Sequence, residues 1–227
     1  MEKEYPNITV DAAVFSYIDE KLHILQIKRN IPPYENMYAL AGAFIKDDET
    51  ADEAVVRMLK DETGLEVDYL EQLYTFTNPV RDPRQRIISI AYYGLINSTN
   101  QTLKTSRHAK EVEWVEIKKA FSREMAFDHR HIMHYALQRL RNKLQYEPIG
   151  FELLPTYFTM TELYDLYCAI LDEGLDRRNF SRKILSFGLL KETQFKKTGT
   201  VGRQAKMYEF DKINYDRLKT KGFNFEL

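Results

Sequence analysis

The sequence predicts an α+β chain in two parts: β-strands with a helix on each side, then helix, turn, helix and a two-stranded wing. Three observations carry this. Between Ile8 and Ile117, runs of β-branched and aromatic residues are bounded by turn residues, as strands are. The stretches 50–64 and 129–145 read as helices, the first amphipathic and capped at both ends. Beyond Glu147-Pro148-Ile149-Gly150 the pattern changes to two further capped helices and a basic, glycine-bearing stretch. The boundary is placed there, giving units of 1–147 and 148–227.

Taken in order, 8–17 and 23–28 form a hairpin across Asp19-Glu20-Lys21. A Pro-Pro loop, Ile31-Pro32-Pro33, and the short segment 38–45 lead into the first helix. There Thr50 or Asp52 caps the start, acidic residues crowd the positive N-terminal end, and Gly64 takes the left-handed closing position. Strands follow at 65–77, 86–96 and 112–117, the last carrying the only tryptophan, Trp114, and Asp128 caps the long helix. In the second unit Thr159 and Glu162 form a capping box, and Leu163, Leu166, Tyr167, Ile170 and Leu171 make the apolar stripe behind it. Asp176 caps a helix over 177–187 ended by Gly188, with Phe180, Ile184, Leu185 and Phe187 facing its predecessor. The wing is 189–193 and 205–210, flanking KKTGTVGR.

Composition bounds the function. With 227 residues, 44% of them hydrophobic, and 15 Tyr plus 13 Phe, the chain has material for a packed core. The single cysteine, Cys168, excludes an internal disulfide and a cysteine-based zinc site, and is read as a buried thiol. The start, MEKEYPNITV, is no signal peptide, and no apolar run approaches the ~20 residues of a membrane span. The expectation is a cytoplasmic protein without a membrane partner.

The first helix carries the chemistry. Ala54, Val55, Met58 and Leu59 form its apolar side, and Arg57, Asp61 and Glu62 follow at i, i+4 and i+5. Adjacent carboxylates backed by an arginine suit a divalent metal, and equally a solvated, salt-bridged face. The stretch GAFIKDDETADEAVVRMLKDETGL resembles the Nudix box, Gly-x5-Glu-x7-Arg-Glu-U-x-Glu-Glu-x-Gly-U with U a bulky apolar residue. Glu49, Arg57, Leu59, Glu62, Gly64 and Leu65 match in register. Ala43 stands at the first glycine, Met58 at the first helix glutamate and Asp61 at the next acidic position. A thioether is a poor partner for Mg²⁺. The resemblance therefore implies a Nudix α/β/α sandwich with a degenerate box (Glu49, Arg57, Asp61, Glu62) and no required cofactor. Asp61 and Glu62 are the metal candidates, for Mg²⁺ or Mn²⁺, if the chain is hydrolytic.

Between the strands at 65–77 and 86–96, Arg81, Arg84 and Arg86 fall within six residues, spaced by prolines. Guanidinium forks fit phosphate oxygens and stack on flat rings. RDPRQR followed by ISIAYY looks like the matching segment of ADP-ribose pyrophosphatases and their regulator relatives. Arg81, Asp82, Arg84 and Arg86, with Glu49 and Arg57, are thus the expected contacts of a phosphorylated ligand. His129, His131 and His134 fall close together, but no acidic ligand position accompanies them, and no metal is expected there.

In the second unit, 177–206 holds nine basic residues against the single acid Glu192, a formal +8 in a chain of net −1. A basic helix beside a basic wing is the footprint of duplex DNA binding. Arg177, Arg178, Asn179, Ser181, Arg182 and Lys183 on the helix, and Lys196, Lys197 and Arg203 on the wing, are the expected contacts. The segment EPIGFELLP…FTMTELYDLYCAIL…LDRRNFSRKIL resembles the C-terminal winged helix of the Nudix-related transcriptional regulators, a bacterial family, and the order of modules is theirs. That implies a homodimer on a palindromic operator, with the Nudix domain sensing an effector such as ADP-ribose or a pentose like arabinose. The alternative is a metal-dependent hydrolase of ADP-ribose or a related nucleoside diphosphate derivative, with Glu49, Asp61 and Glu62 holding the metals.

Overall fold

The computed structural model describes residues 5–67, 69–197 and 204–227. The chain clusters into two compact units, Met1–Ile18 with Leu22–Arg139, and Asp19–Lys21 with Leu140–Leu227.

In the first unit, β1 (Asn7–Ile18) and β2 (Lys21–Arg29) make the expected hairpin. Its turn residues Asp19 and Glu20 both take positive φ, 48° and 60°, as a tight two-residue connection requires. Then come β3 (Tyr38–Ala39), β4 (Ala41–Phe44), α1 (Ala51–Thr63), β5 (Tyr69–Phe76), β6 (Ile87–Leu95), β7 (Ala109–Glu116), α2 (Ile117–Ser122) and α3 (His129–Tyr146). The strands form one mixed sheet in the order β3-β2-β1-β6-β5, with β4 also on β1 and β7 on β2. Only β1 and β6 run parallel among the pairs in register. The strand expected from residue 65 starts at Tyr69, because Leu65 drops into the core directly behind the Gly64 cap. The six-residue α2 was not expected, nor was a helix at Lys212–Lys219 in the second unit.

Alternation along β2 shows how the helices cover both faces. Leu25 joins the core under α1, while the Gln26 amide points the other way, 3.4 Å from the Met125 sulfur and 3.6 Å from that of Met133 on α3. This is the α/β/α sandwich that the sequence leads one to expect.

The second unit holds β8 (Phe158–Thr159), α4 (Met160–Leu171), α5 (Arg177–Ser186), β9 (Leu190–Lys197), β10 (Ala205–Phe210) and α6 (Lys212–Lys219). Its sheet has three antiparallel strands, not two, because Phe158 and Thr159 pair with Tyr208 and Met207 just before the Thr159 capping box starts α4. Phe180 and Ile184 are buried, but Leu185 is 49% exposed: it lies one residue, about 100°, around the helix from Ile184. Phe187 packs on Phe223 and Phe225 instead of on α4. Cys168 is half-buried, not buried as expected. Among the described residues, no helix is long and apolar enough to cross a membrane.

Candidate functional site

Thr50 caps α1 through a full capping box with Glu53, and Gly64 closes it at φ 75°. With Ala54, Val55, Met58 and Leu59 buried, the box polar residues are left at the opposite side. Met58 has no exposed surface and packs in the hydrophobic core with Leu25, Val55 and Leu59. Glu49 accepts from Arg57 Nε at 2.7 Å and from its Nη2, and Arg57 also donates to the Phe44 carbonyl at 3.2 Å. That guanidinium, above all, draws the Glu49 carboxyl down to about 2. Asp61 is 62% exposed and 3.9 Å from Arg57, while Glu62 turns away to Ser106 Oγ and to His108 Nδ1 at 2.9 Å. Glu49 and Asp61 are thus drawn to Arg57 while Glu62 faces Ser106 and His108, and a buried methionine stands at the fourth position. Such a donor set does not fit the octahedral oxygen shell of Mg²⁺ or Mn²⁺. Among the described residues, no group of three or more His, Cys, Asp or Glu side chains is arranged to hold a metal.

Beside the box lies a cleft of about 230 Å³, lined among others by Arg29, Phe44, Glu62, Arg81, Arg84 and Phe127. Its floor is a buried ion-pair network. Arg81, with 3% of its side chain exposed, donates Nε and Nη2 to Asp128 at 2.9 and 2.7 Å, and Nη2 to Asp11 at 3.2 Å. Burial opposes the Arg81 charge, yet the two carboxylates prevail and hold its pKa above the usual value. Ser89 Oγ donates to the same Asp11 oxygen as Arg81. Gly42 is required opposite Asp11 in the β1–β4 register, since a Cβ there would fall 2.1 Å from Asp11 Oδ1. His129 is buried too: its Nδ1 accepts the Leu40 N–H at 2.9 Å, leaving the Nε2 proton to face Asp11 Oδ1 at 3.5 Å. Burial pushes the His129 pKa down, so the ring is neutral.

The rim differs from the floor. Arg84 is 40% exposed in its side chain, paired with Asp82 through Nε (3.0 Å) and Nη2 (2.7 Å), and stands 5.6 Å from the Phe127 ring and 5.8 Å from that of Phe44. Despite burial, these hydrogen bonds keep the Asp82 carboxyl low. Arg29 faces Phe127 from 4.9 Å and, among the described residues, donates only to neutral acceptors, the carbonyls of Pro33 (2.9 Å) and Ile31 (3.2 Å). Its pKa is lowered, first by burial and then by the charge of Arg84.

Of the residues expected to meet a ligand, Arg81, Asp82 and Arg84 therefore line one cleft. Arg86 does not: it is exposed and donates to the Thr77 carbonyl at 2.8 Å. Glu49 and Arg57 hold each other outside the lining. Sequence reasoning missed Asp11, Arg29, Phe44, Phe127 and His108. Asp11 carried a signal, a lone carboxylate inside the apolar run ITVDAAVFSY, and Phe127 lies in the stretch Ala126-Phe127-Asp128-His129, which resembles the start of the family's last Nudix helix; for the others no signal was used.

In the second unit, Asp176 caps α5 by accepting the Asn179 N–H at 2.7 Å. Several expected DNA contacts are tied down within the fold. Arg177 donates to Thr161 Oγ1 at 2.6 Å and lies over Tyr164; Arg182 donates to Asn179 Oδ1 at 2.9 Å; Ser181 Oγ donates to the Arg177 carbonyl at 2.8 Å. Lys183 lies over Phe187, and Lys197 pairs with Glu162 at 2.7 Å. The side chains of Arg178 and Lys196 are exposed and make no hydrogen bond or ion pair among the described residues. Arg203 lies outside the described residues.

Comparison with known proteins fits each unit separately. The NUDIX domain family model matches residues 8–136, and the model of the NrtR DNA-binding winged helix domain matches 150–210. The ADPR responsive transcriptional repressor NtrR of Acinetobacter baylyi is 34% identical over 230 residues, covering 99% of this chain and 88% of that protein. The crystal structure of Shewanella oneidensis NrtR complexed with a 27mer DNA superposes with a TM-score of 0.80 at 27% identity, covering 96% of this chain and 97% of that one. The ADP-ribose pyrophosphatase of Methanocaldococcus jannaschii is 36% identical over 129 residues, 57% of this chain and 72% of that enzyme.

Proposed function

This chain belongs to the NrtR family of Nudix-related transcriptional regulators, and we propose that it binds duplex DNA as a homodimer through α5 and the wing while sensing a nucleotide diphosphate of the ADP-ribose class in the arginine cleft. One observation carries the ligand class. Two guanidiniums, Arg29 and Arg84, face one cleft lined by two aromatic rings, and among the described residues Arg29 has only neutral acceptors. Like charges held together in a ring-lined cleft favour a phosphorylated, ring-bearing ligand over a neutral pentose. On the DNA side, Arg178 and Lys196, unpaired among the described residues, are side chains available to phosphate or base edges. The tied-down Arg177 and Arg182 shape the helix surface around them.

Hydrolysis is the weaker reading. The pyrophosphatase relative supports it, but the dispersed carboxylates and buried Met58 count against it. ADP-ribose incubated with Mg²⁺ or Mn²⁺ is expected to yield no AMP.

The deciding experiment titrates the purified protein onto duplex DNA from just upstream of its own gene, with and without ADP-ribose, using a scrambled duplex as control. Salt-dependent preference for the specific duplex is expected, together with a changed Kd on adding ADP-ribose. Equal affinity for both duplexes counts against self-regulation, and an unchanged Kd counts against ADP-ribose as effector.

A further inference from the structure

The buried stripe of α5 is Phe180 and Ile184, and the side turned away from them carries Arg178, Arg182 and Leu185 at i, i+4 and i+7. All three are exposed, and Leu185 is the one large apolar side chain exposed on this helix. Ile184 takes the inward position before it, and Phe187, two residues on, packs on Phe223 and Phe225, which leaves Leu185 on the outer side. A lone exposed leucine is ordinary on a protein surface. Here its neighbours make it informative, because their polar groups are turned back on the helix. Ser181 Oγ donates to the Arg177 carbonyl at 2.8 Å, Ser186 Oγ to the Lys183 carbonyl at 2.7 Å, and Arg182 Nη2 to Asn179 Oδ1 at 2.9 Å. Arg178 alone on this stripe makes no hydrogen bond or ion pair among the described residues. The outer face therefore offers one free guanidinium fork and, seven residues on, one apolar side chain. At 1.5 Å per residue the two stand about 10 Å apart along the axis, the length of about three base-pair steps.

We propose that Leu185 is a sequence-reading residue: with α5 in the major groove, it packs on the C5-methyl of a thymine about three base pairs from a guanine gripped by Arg178. The chemistry of the two side chains separates their tasks. A guanidinium fork matches guanine N7 and O6, and it also serves any phosphate. A leucine has no donor for phosphate, so in a groove it gains only by covering apolar surface, and the thymine methyl is the apolar group displayed there. Leu185 thus adds discrimination without adding charge. Each operator half-site is expected to hold a guanine and a thymine at that separation, and cytosine in place of the thymine removes the methyl and is disfavoured.

The inference rests on the reading of α5 as the DNA-binding helix, and the test separates the two. The native chain would first select its preferred duplex from a randomised pool. Each thymine of one half-site would then be replaced in turn by deoxyuridine, which removes the methyl and leaves the base pair intact. Fluorescence anisotropy would give the Kd of every duplex for the native chain, Leu185→Ala and Leu185→Met. For the native chain one thymine is expected to count, its replacement weakening binding by about fourfold, the order of one buried methyl. Leu185→Ala should bind the thymine and deoxyuridine duplexes alike, with its urea unfolding midpoint unchanged. Leu185→Met keeps an apolar contact and should retain the difference. If no replacement weakens the native chain, or if Leu185→Ala feels the same replacement equally, the role of Leu185 is overturned while DNA binding by α5 stands. If the native chain selects no sequence from the pool, both fall.

Discussion

The two arginine-rich regions of this molecule look alike in sequence and differ in what faces them. In the loop at 78–86, Arg81 is buried and its charge is shared between Asp11 and Asp128. On α5, Arg178 is exposed and unmatched among the described residues. The first arginine is a structural member under a cleft; the second has its donors free for a partner. The lysines of the second unit repeat the lesson: Lys191, Lys197 and Lys206 pair with Asp211, Glu162 and Glu192. The formal +8 of 177–206 thus overstates the charge available to DNA.

Breaking the buried side should have the largest effect. Arg81→Ala leaves Asp11 and Asp128 without their cation, and a loss of about 3–5 kcal/mol is expected in urea unfolding. A loss near zero would show that Arg81 is a rim residue like Arg84. Next, Gly42→Ala forces a methyl onto Asp11 Oδ1 and the Val10 carbonyl, and about 1–3 kcal/mol should be lost by the same measurement. Acid probes the network more gently. His129 is held neutral, its pKa below the unfolded value near 6.5, so the unfolded chain binds the extra proton. Its contribution is complete above that pH and fades as pH falls below it, at no more than about 1.4 kcal/mol per pH unit. His129→Gln should flatten that part of the stability–pH curve. The smallest stability effect belongs to the exposed side. Arg178→Ala should leave the unfolding midpoint in place while lowering duplex affinity, and its salt slope should shrink by about 1 if the contact is to phosphate. If Arg178→Ala destabilises the fold as much as Arg81→Ala, the contrast between the regions is false.

Much of the fold was legible because its signals are local. Thr50, Gly64, Thr159 and Asp176 cap where a short oxygen side chain or a left-handed glycine must stand, and each does so in the structure. The apolar stripe of α1 read correctly for the same reason. What escaped was non-local. The third strand of the winged sheet depends on residues 158 and 159 meeting 208 and 207, and two-residue strands leave no period to read. Leu185 was misjudged because an apolar run longer than one face cannot all point inward. At the site, the arginines of the 78–86 loop were visible, but Arg29 was not, and Phe127 lay in a segment, 126–129, that stood out only as the start of the long helix and not as part of the site.

The sequence by itself determined most of the elements though not α2, β8 or α6, the caps at Thr50, Gly64, Thr159 and Asp176, the order of the two modules and the departure of the box at Ala43 and Met58. Those depend on neighbours within a turn or two and on a fixed spacing. Only the tertiary structure decided which charges are neutralised and which stay available. Arg81 meets Asp128 and Asp11 across 47 and 70 residues of chain, and only the folded sheet brings those carboxylates to it. An exposed charge and a buried one are the same letter until the fold supplies, or withholds, the countercharge.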